Sequence, residues 1–459
     1  MLLVLVAGCG AEGPTHVQSH LLGRITTEEG RDFAGFQVLV VDVEGRTIDT
    51  LGRAVTASDG EFSLTVTAPE RGVYPLMIWG RDGIRRLAST DYVVVDGDSG
   101  TLRVDFPLED RALQVRSDEN TALRAYRNTI AQHRRTLVER LRAEAVDSNA
   151  ISQGVRQTSS MLWSLQKTFP ETYASQLGAA ESLSLLSGWD DSLVVARARG
   201  VDPSSPRYVE VAQIARRAEA RLRGQTAALD LLDTFAAQAR SPEQRAGIQA
   251  ARIRMFIDSA EVDAALSAAH RLRNEYPDTK WADWAERVQY EINNLRVGMR
   301  APPFEARTVD GDSISLLGFA GHPIVLEYYR PGSKLYQQQL ATRNALFERT
   351  RTDSVAFVSV SVSPDTLLYR AFAQNRPLPG QDVIAAGGMD DPLVAAYNVA
   401  DVPTRVLIDA TGRIVGRYPG SAFFAFQEDL ARLLRPPEEG AALGPASQQS
   451  FTKSTAALP

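Results

Sequence analysis

Gly321-His322-Pro323-Ile324-Val325-Leu326-Glu327-Tyr328-Tyr329 and, further on, Val355-Ala356-Phe357-Val358-Ser359-Val360-Ser361 set the architecture of the C-terminal third. Val355 to Ser361 is an apolar run too brief for a helix and fits a buried parallel strand, one of at least two. Glu327 falls inside the first run. A carboxylate in mid-strand needs a partner or a raised pKa, and the expectation is that it points instead to the solvent-accessible end of the sheet. Between the two runs stands Arg330-Pro331-Gly332-Ser333-Lys334-Leu335-Tyr336, which contains no cysteine; the chain's one cysteine is Cys9.

Working outward, residues 296–434 carry an ordered series of short motifs. Val297-Gly298-Met299-Arg300-Ala301-Pro302-Pro303-Phe304 opens it, and Asp310-Gly311-Asp312-Ser313-Ile314-Ser315-Leu316 follows. The two apolar runs come next, and Tyr397-Asn398-Val399-Ala400-Asp401-Val402-Pro403-Thr404-Arg405-Val406-Leu407-Ile408-Asp409-Ala410-Thr411-Gly412-Arg413-Ile414-Val415 closes it. In order and spacing the series resembles the TlpA-like and AhpC/TSA-like (redoxin) families of thioredoxin fold. The resemblance implies an α/β thioredoxin-like domain with a C-x-x-C. Those two positions fall on Ser333 and Tyr336, and neither side chain can supply a thiolate. Thiol-disulfide exchange needs an attacking thiolate and a leaving sulfur, and peroxide reduction begins with a thiolate becoming a sulfenic acid. No histidine or acid spacing makes Ser333 a hydrolytic nucleophile.

The resemblance also implies a cis peptide bond before Pro403, since the cis form of an X-Pro bond costs only about 0.5–1 kcal/mol. Asp401 and Val402 would then offer a short backbone edge to an extended partner, with Pro403 and Thr404 behind it. Lys334 and Glu327 are the polar residues beside this site that complete the candidate binding set. No catalytic residue, cofactor or metal ligand is assigned; His16, His20, His133, His270 and His322 are scattered without ligand spacing.

Met1-Leu2-Leu3-Val4-Leu5-Val6-Ala7-Gly8-Cys9 resembles the end of a bacterial lipoprotein signal peptide, with residues 1–8 removed and Cys9 carrying lipid. Its apolar run falls far short of the roughly 20 residues that span a bilayer. It lacks the usual positive n-region, so the expectation is that the true start lies upstream of Met1. Acyl chains on Cys9 would contribute about 0.8 kcal/mol of membrane affinity per buried methylene. The expected location is the cell envelope, anchored to a bacterial membrane.

The chain has 459 residues, 44% of them hydrophobic, and a formal charge of −6, enough for several domains and without a basic footprint for nucleic acid. A linker (9–18) leads into an all-β sandwich (19–108), with strand patterns at Leu21 to Thr26, Phe36 to Val43, Glu61 to Thr67, Tyr74 to Trp79 and Leu102 to Phe106. Ser58-Asp59-Gly60-Glu61-Phe62-Ser63-Leu64 with Gly72-Val73-Tyr74-Pro75-Leu76 resembles carboxypeptidase-regulatory-like domains, and Asp59-Gly60 reads as a hairpin turn. Asp96-Gly97-Asp98 reads as a turn rather than a calcium loop.

Residues 110–295 switch to helical periodicity. Ser241-Pro242-Glu243-Gln244 is a helix-start signature, with a capping serine, proline in the first turn and glutamine at the capping-box position. Ala264 to Ala282 is similar to a tetratricopeptide hairpin. Asp190-Asp191 and Asp390-Asp391 read as helix-start or turn residues. Residues 435–459, rich in Pro, Glu, Gly, Ala, Ser and Gln, read as a disordered tail.

Two function classes compete. One is a lipid-anchored, redox-inactive thioredoxin-like protein that binds or scaffolds a peptide or protein partner in the envelope. The other is an envelope thiol-disulfide oxidoreductase or antioxidant protein with an unorthodox site. A weaker third is an accessory lipoprotein of an uptake system. The missing cysteines favour the first.

Overall fold

The computed structural model describes residues 16–435 apart from 29–32, 45–46, 109–112, 143–146, 364 and 377. The lipobox at Cys9 and the tail 436–459 lie outside the described residues. Contacts divide the chain into two compact units that meet at Arg240 and Ser241.

The first unit begins with β1 (Val17–Thr27), β2 (Gln37–Glu44), β3 (Thr47–Val55), β4 (Glu61–Ala68), β5 (Gly72–Trp79), β6 (Arg86–Val94), β7 (Ser99–Phe106) and β8 (Val115–Arg116). They form two four-stranded sheets, ordered β4-β1-β7-β8 and β3-β2-β5-β6. Alternation drives their burial: along β4, Phe62, Leu64, Val66 and Ala68 turn inward while Glu61, Ser63 and Thr65 face out. Leu21, Val38, Leu64, Leu76, Tyr92 and Leu102 from both sheets share one core. The polar, glycine-interrupted β3, the mixed β6 and the two-residue β8 do not show the alternation from which the other strands were read. Asp59-Gly60 does turn the chain, with Gly60 at φ +84°. It does not make the expected hairpin, because β3 pairs with β2 whereas β4 pairs with β1, Leu64 opposite Leu21. Six helices follow: α1 (Asp118–Arg142), α2 (Ser148–Thr168), α3 (Tyr173–Leu186), α4 (Asp191–Ala198), α5 (Tyr208–Arg223) and α6 (Gln225–Gln238). Asp190 caps α4 by accepting from Leu193 N.

The second unit opens with α7 (Pro242–Asp258), α8 (Val262–Glu275) and α9 (Lys280–Asn294). Ser241 caps α7, its Oγ accepting from Gln244 N at 3.1 Å. The helical stretch is therefore shared between the two units, and α7–α9 pack with the α/β part that follows. That part runs β9 (Glu305–Arg307), β10 (Ser313–Ser315), β11 (Ile324–Tyr329), α10 (Lys334–Arg349), β12 (Ala356–Ser361), α11 (Thr366–Asn375), β13 (Gln381–Ile384), α12 (Pro392–Ala396), β14 (Thr404–Ile408), β15 (Ile414–Pro419) and α13 (Phe423–Leu433).

Its five-stranded sheet is ordered β13-β12-β11-β14-β15. β11, β12 and β13 are mutually parallel, and β14 and β15 each run antiparallel to their neighbour. All six residues of β11 are buried, so both faces of the sheet are covered. Ile324, Leu326, Tyr328, Val358 and Val406 fill one side. Val325, Phe357 and Leu407 pack with Phe426 and Leu430 of α13 on the other. Among the described residues no helix is long and apolar enough to cross a membrane.

Candidate functional site

The first turn of α10 follows the C-terminal end of β11, where the motif series places the site. Ser333 is the N-cap of α10, its Oγ accepting from Tyr336 N at 3.3 Å. A side-chain oxygen that satisfies an orphan amide in this way is a structural device. Lys334 is exposed and Leu335 is 42% exposed.

Tyr336 turns the other way. Its ring is fully buried, stacked on Tyr329 with ring centroids 4.4 Å apart, and its hydroxyl donates to Glu327 Oε2 at 2.9 Å. Burial and then the neighbouring Glu327 charge push the Tyr336 phenol well above its ordinary range.

Glu327 corrects a sequence expectation. It does not reach the solvent-accessible end of the sheet but is 1% exposed and held between two equally buried arginines. Arg405 Nε donates to Oε1 at 2.7 Å and Arg343 Nε to Oε2 at 3.1 Å. Burial alone would raise the Glu327 pKa; the Arg405 and Arg343 charges and the Tyr336 hydrogen bond outweigh it and hold the carboxyl below its usual range. Arg343 is further fixed by Pro379 O at 2.7 Å and Ser359 Oγ at 2.9 Å. Arg405 lies over the Phe423 ring, 4.4 Å from its centroid. Arg405 Nη1 donates to Gln339 Oε1 at 3.0 Å, and Gln339 Nε2 donates to Gly420 O at 2.8 Å. Glu327 thus braces the site from below and is inaccessible to a partner.

Val402-Pro403 is cis, as expected. Pro403 and Leu335 converge on Gly420, where an added Cβ would lie 2.7 Å from Leu335 Cδ2 and 2.9 Å from Pro403 Cγ. The proline therefore stands beside the first turn of α10, and Gly420 leaves room for that approach. Pro403 and Thr404 are buried, Val402 is half-buried and Asp401 is exposed. Thr404 Oγ1 donates to Asp401 O at 2.6 Å, so that carbonyl is already engaged. Val402 makes no backbone hydrogen bond to another described residue. The open part of the expected edge is accordingly Val402.

Arg343 and Arg405 were missed in the sequence. The signal existed for Arg405: it interrupts an apolar strand directly opposite Glu327, which interrupts another, and opposite charges at facing positions pair across strands.

No family model matches the chain. Curated relatives match just under a third of it. The thiol-disulfide oxidoreductase ResA of Geobacillus kaustophilus is 27% identical over 144 residues, 31% of this chain and 79% of that protein. ResA of Bacillus thuringiensis subsp. konkukian is 21% identical over 142 residues, 31% and 80%. The thioredoxin-like protein YneN of Bacillus subtilis is 27% identical over 130 residues, 28% and 74%. Among solved structures, the thioredoxin domain of a thiol-disulfide oxidoreductase from Bacteroides vulgatus is 17% identical with a TM-score of 0.27, covering 30% of this chain and 99% of that one. A thiol-disulfide oxidoreductase from Bacteroides fragilis is 19% identical with a TM-score of 0.27, covering 28% and 98%. With these curated relatives and this strand order, the C-terminal third of the chain is a thioredoxin-like domain.

Proposed function

We propose that this thioredoxin-like domain carries out no thiol chemistry and instead holds an extended partner chain at Val402, within an envelope protein anchored by lipid on Cys9. One observation carries the reading: where the relatives' motif calls for two sulfurs, Ser333 caps a helix and Tyr336 is locked into the core through Glu327. What stays open is a backbone edge at Val402, before Pro403, with exposed Asp401 next to it in sequence and Leu335 close to Pro403 around Gly420. Main-chain hydrogen bonds to such an edge give affinity with little sequence demand. The N-terminal sandwich, read as carboxypeptidase-regulatory-like, and the helices serve as spacer and support. Membrane contact is through the lipid, and no cofactor is invoked.

The test uses the full chain and reduced, carboxymethylated α-lactalbumin as a permanently extended probe, with fluorescence anisotropy as readout. Saturable binding that is lost in Val402→Pro, which removes the edge N–H, supports the reading. Binding unchanged by that substitution, or none, rejects it. The competing reading of an oxidoreductase with an unorthodox site draws on the names of the ResA relatives, and an insulin-reduction assay on the same preparation decides it.

A further inference from the structure

One face of α9 is committed to the segment that leads into Val402. Arg287, Tyr290 and Glu291 stand three and four residues apart and so share a helix face. Tyr290 Oη donates to Ala396 O at 3.0 Å. Asn398 Nδ2 donates to Arg287 O at 3.0 Å and reaches Glu291 Oε2 at 3.4 Å. Arg417 of β15 closes the ring: Nη1 pairs with Glu291 Oε1 at 3.0 Å, while Nη2 donates to Tyr397 O at 2.9 Å and Asn398 O at 3.0 Å. Both charged side chains are largely buried, 14% and 10% exposed, so the pair is poorly screened. Asn398 sits at φ +48°, a left-handed conformation that asparagine tolerates better than most residues. Tyr397 is buried and its hydroxyl donates to Pro302 O at 2.7 Å. Residues 396–398 are thereby fixed from three sides, four residues before Val402.

From this network we infer that α9 is the positioning element of the Val402 edge, so that the helical hairpin and the thioredoxin-like fold form a single binding unit with Glu291, Asn398 and Arg417 as its positioning residues. The inference rests on the proposed peptide-binding role of Val402. A thioredoxin fold excised at residue 296 would lose the tether. The helix has its own anchors, since Trp281, Trp284, Val288 and Ile292 are buried along it. A rigid element that grips a loop limits the states the loop visits, which raises affinity for a chain that must pair with it.

The test measures two things on the full-length protein. Amide hydrogen exchange is followed at Asn398 and Val399, whose N–H groups bond to Ala395 O and Val394 O. Binding of reduced, carboxymethylated α-lactalbumin is followed in parallel. Arg417→Met removes the loop bonds and the ion pair; Asn398→Asp is milder, keeping a side chain that tolerates left-handed backbone while turning a donor into an acceptor against Glu291. Several-fold faster exchange at these amides, unchanged protection in β11 and β12, and several-fold weaker binding would bear the inference out. Unchanged exchange at Asn398 and Val399 in either folded variant overturns the tether. Faster exchange with unchanged affinity overturns its link to binding. If the wild-type protein binds no probe, the peptide-binding reading fails, and exchange alone decides whether α9 holds the loop.

Discussion

The Tyr336 hydroxyl donates to Glu327 Oε2 at 2.9 Å, joining the first turn of α10 to a buried carboxylate in the central strand. The bond accounts for the character of the site. Tyr336 is a core residue, and the carboxylate beneath it is engaged by Tyr336, Arg343 and Arg405. Tyr336→Phe keeps the stacked ring and deletes only this bond. We expect a loss of about 1.5–3 kcal/mol, the range for hydrogen bonds to a charged group, with probe binding unchanged at saturating protein stability. Urea unfolding and anisotropy measure the two effects.

Replacing Glu327 is expected to be worse. Glu327→Leu leaves Arg343 and Arg405 buried without their shared counter-charge, and removal of one member of a buried ion pair typically costs about 3–5 kcal/mol. Chemical denaturation of the full chain should show the second unit unfolding at markedly lower urea. A change within experimental error would mean that the Arg–Glu–Arg arrangement is not holding the sheet together.

Ser333→Ala tests whether that position has any role beyond its cap. Loss of the hydrogen bond to Tyr336 N should destabilise the protein by about 1 kcal/mol. Probe affinity should not move, because Ser333 is assigned no contact with a partner.

The half-buried Asp382 and the buried Glu327 are shifted in opposite directions, which makes pH informative. Burial pushes Asp382 up to about 6, partly offset by the Tyr369 hydroxyl that donates to Oδ2 at 2.9 Å. A folded value above the ordinary carboxylate range means that the folded state binds more protons within that window, so Asp382 makes stability fall as pH rises toward about 6 and adds no further slope above it. Glu327 is depressed, so its contribution is present at neutral pH and lost as pH falls below the ordinary carboxylate range. The difference in urea midpoint between wild type and Asp382→Asn, followed across this range, isolates the first effect. It should favour the variant increasingly as pH rises through the window and then level off.

How much of this was legible before the structure depends on the range of the interactions involved. The central strands announce themselves because Ile324 to Tyr329 and Ala356 to Ser361 are short, largely apolar runs, the pattern of strands buried on both faces. The α7 start was legible for a local reason as well: capping acts within one turn, and Ser241, Pro242 and Gln244 lie within it. The environment of Glu327 was not, because its partners lie 16 and 78 residues away and only the strand register brings Arg405 opposite it. The same limit applies to α9: nothing local in Asn398 reveals a bond to Arg287, 111 residues earlier. Thr404 shows the finer loss, since its hydroxyl engages Asp401 O and narrows a two-residue edge to Val402.

Whether the domain does thiol chemistry is decided by insulin-disulfide reduction by the full-length protein with dithiothreitol as reductant, beside a cysteine-containing ResA as positive control. The account predicts a rate equal to the no-protein blank in the wild type and in Ser333→Ala alike. Turnover clearly above the blank that persists in Ser333→Ala would contradict it and require a redox centre outside Ser333 and Tyr336.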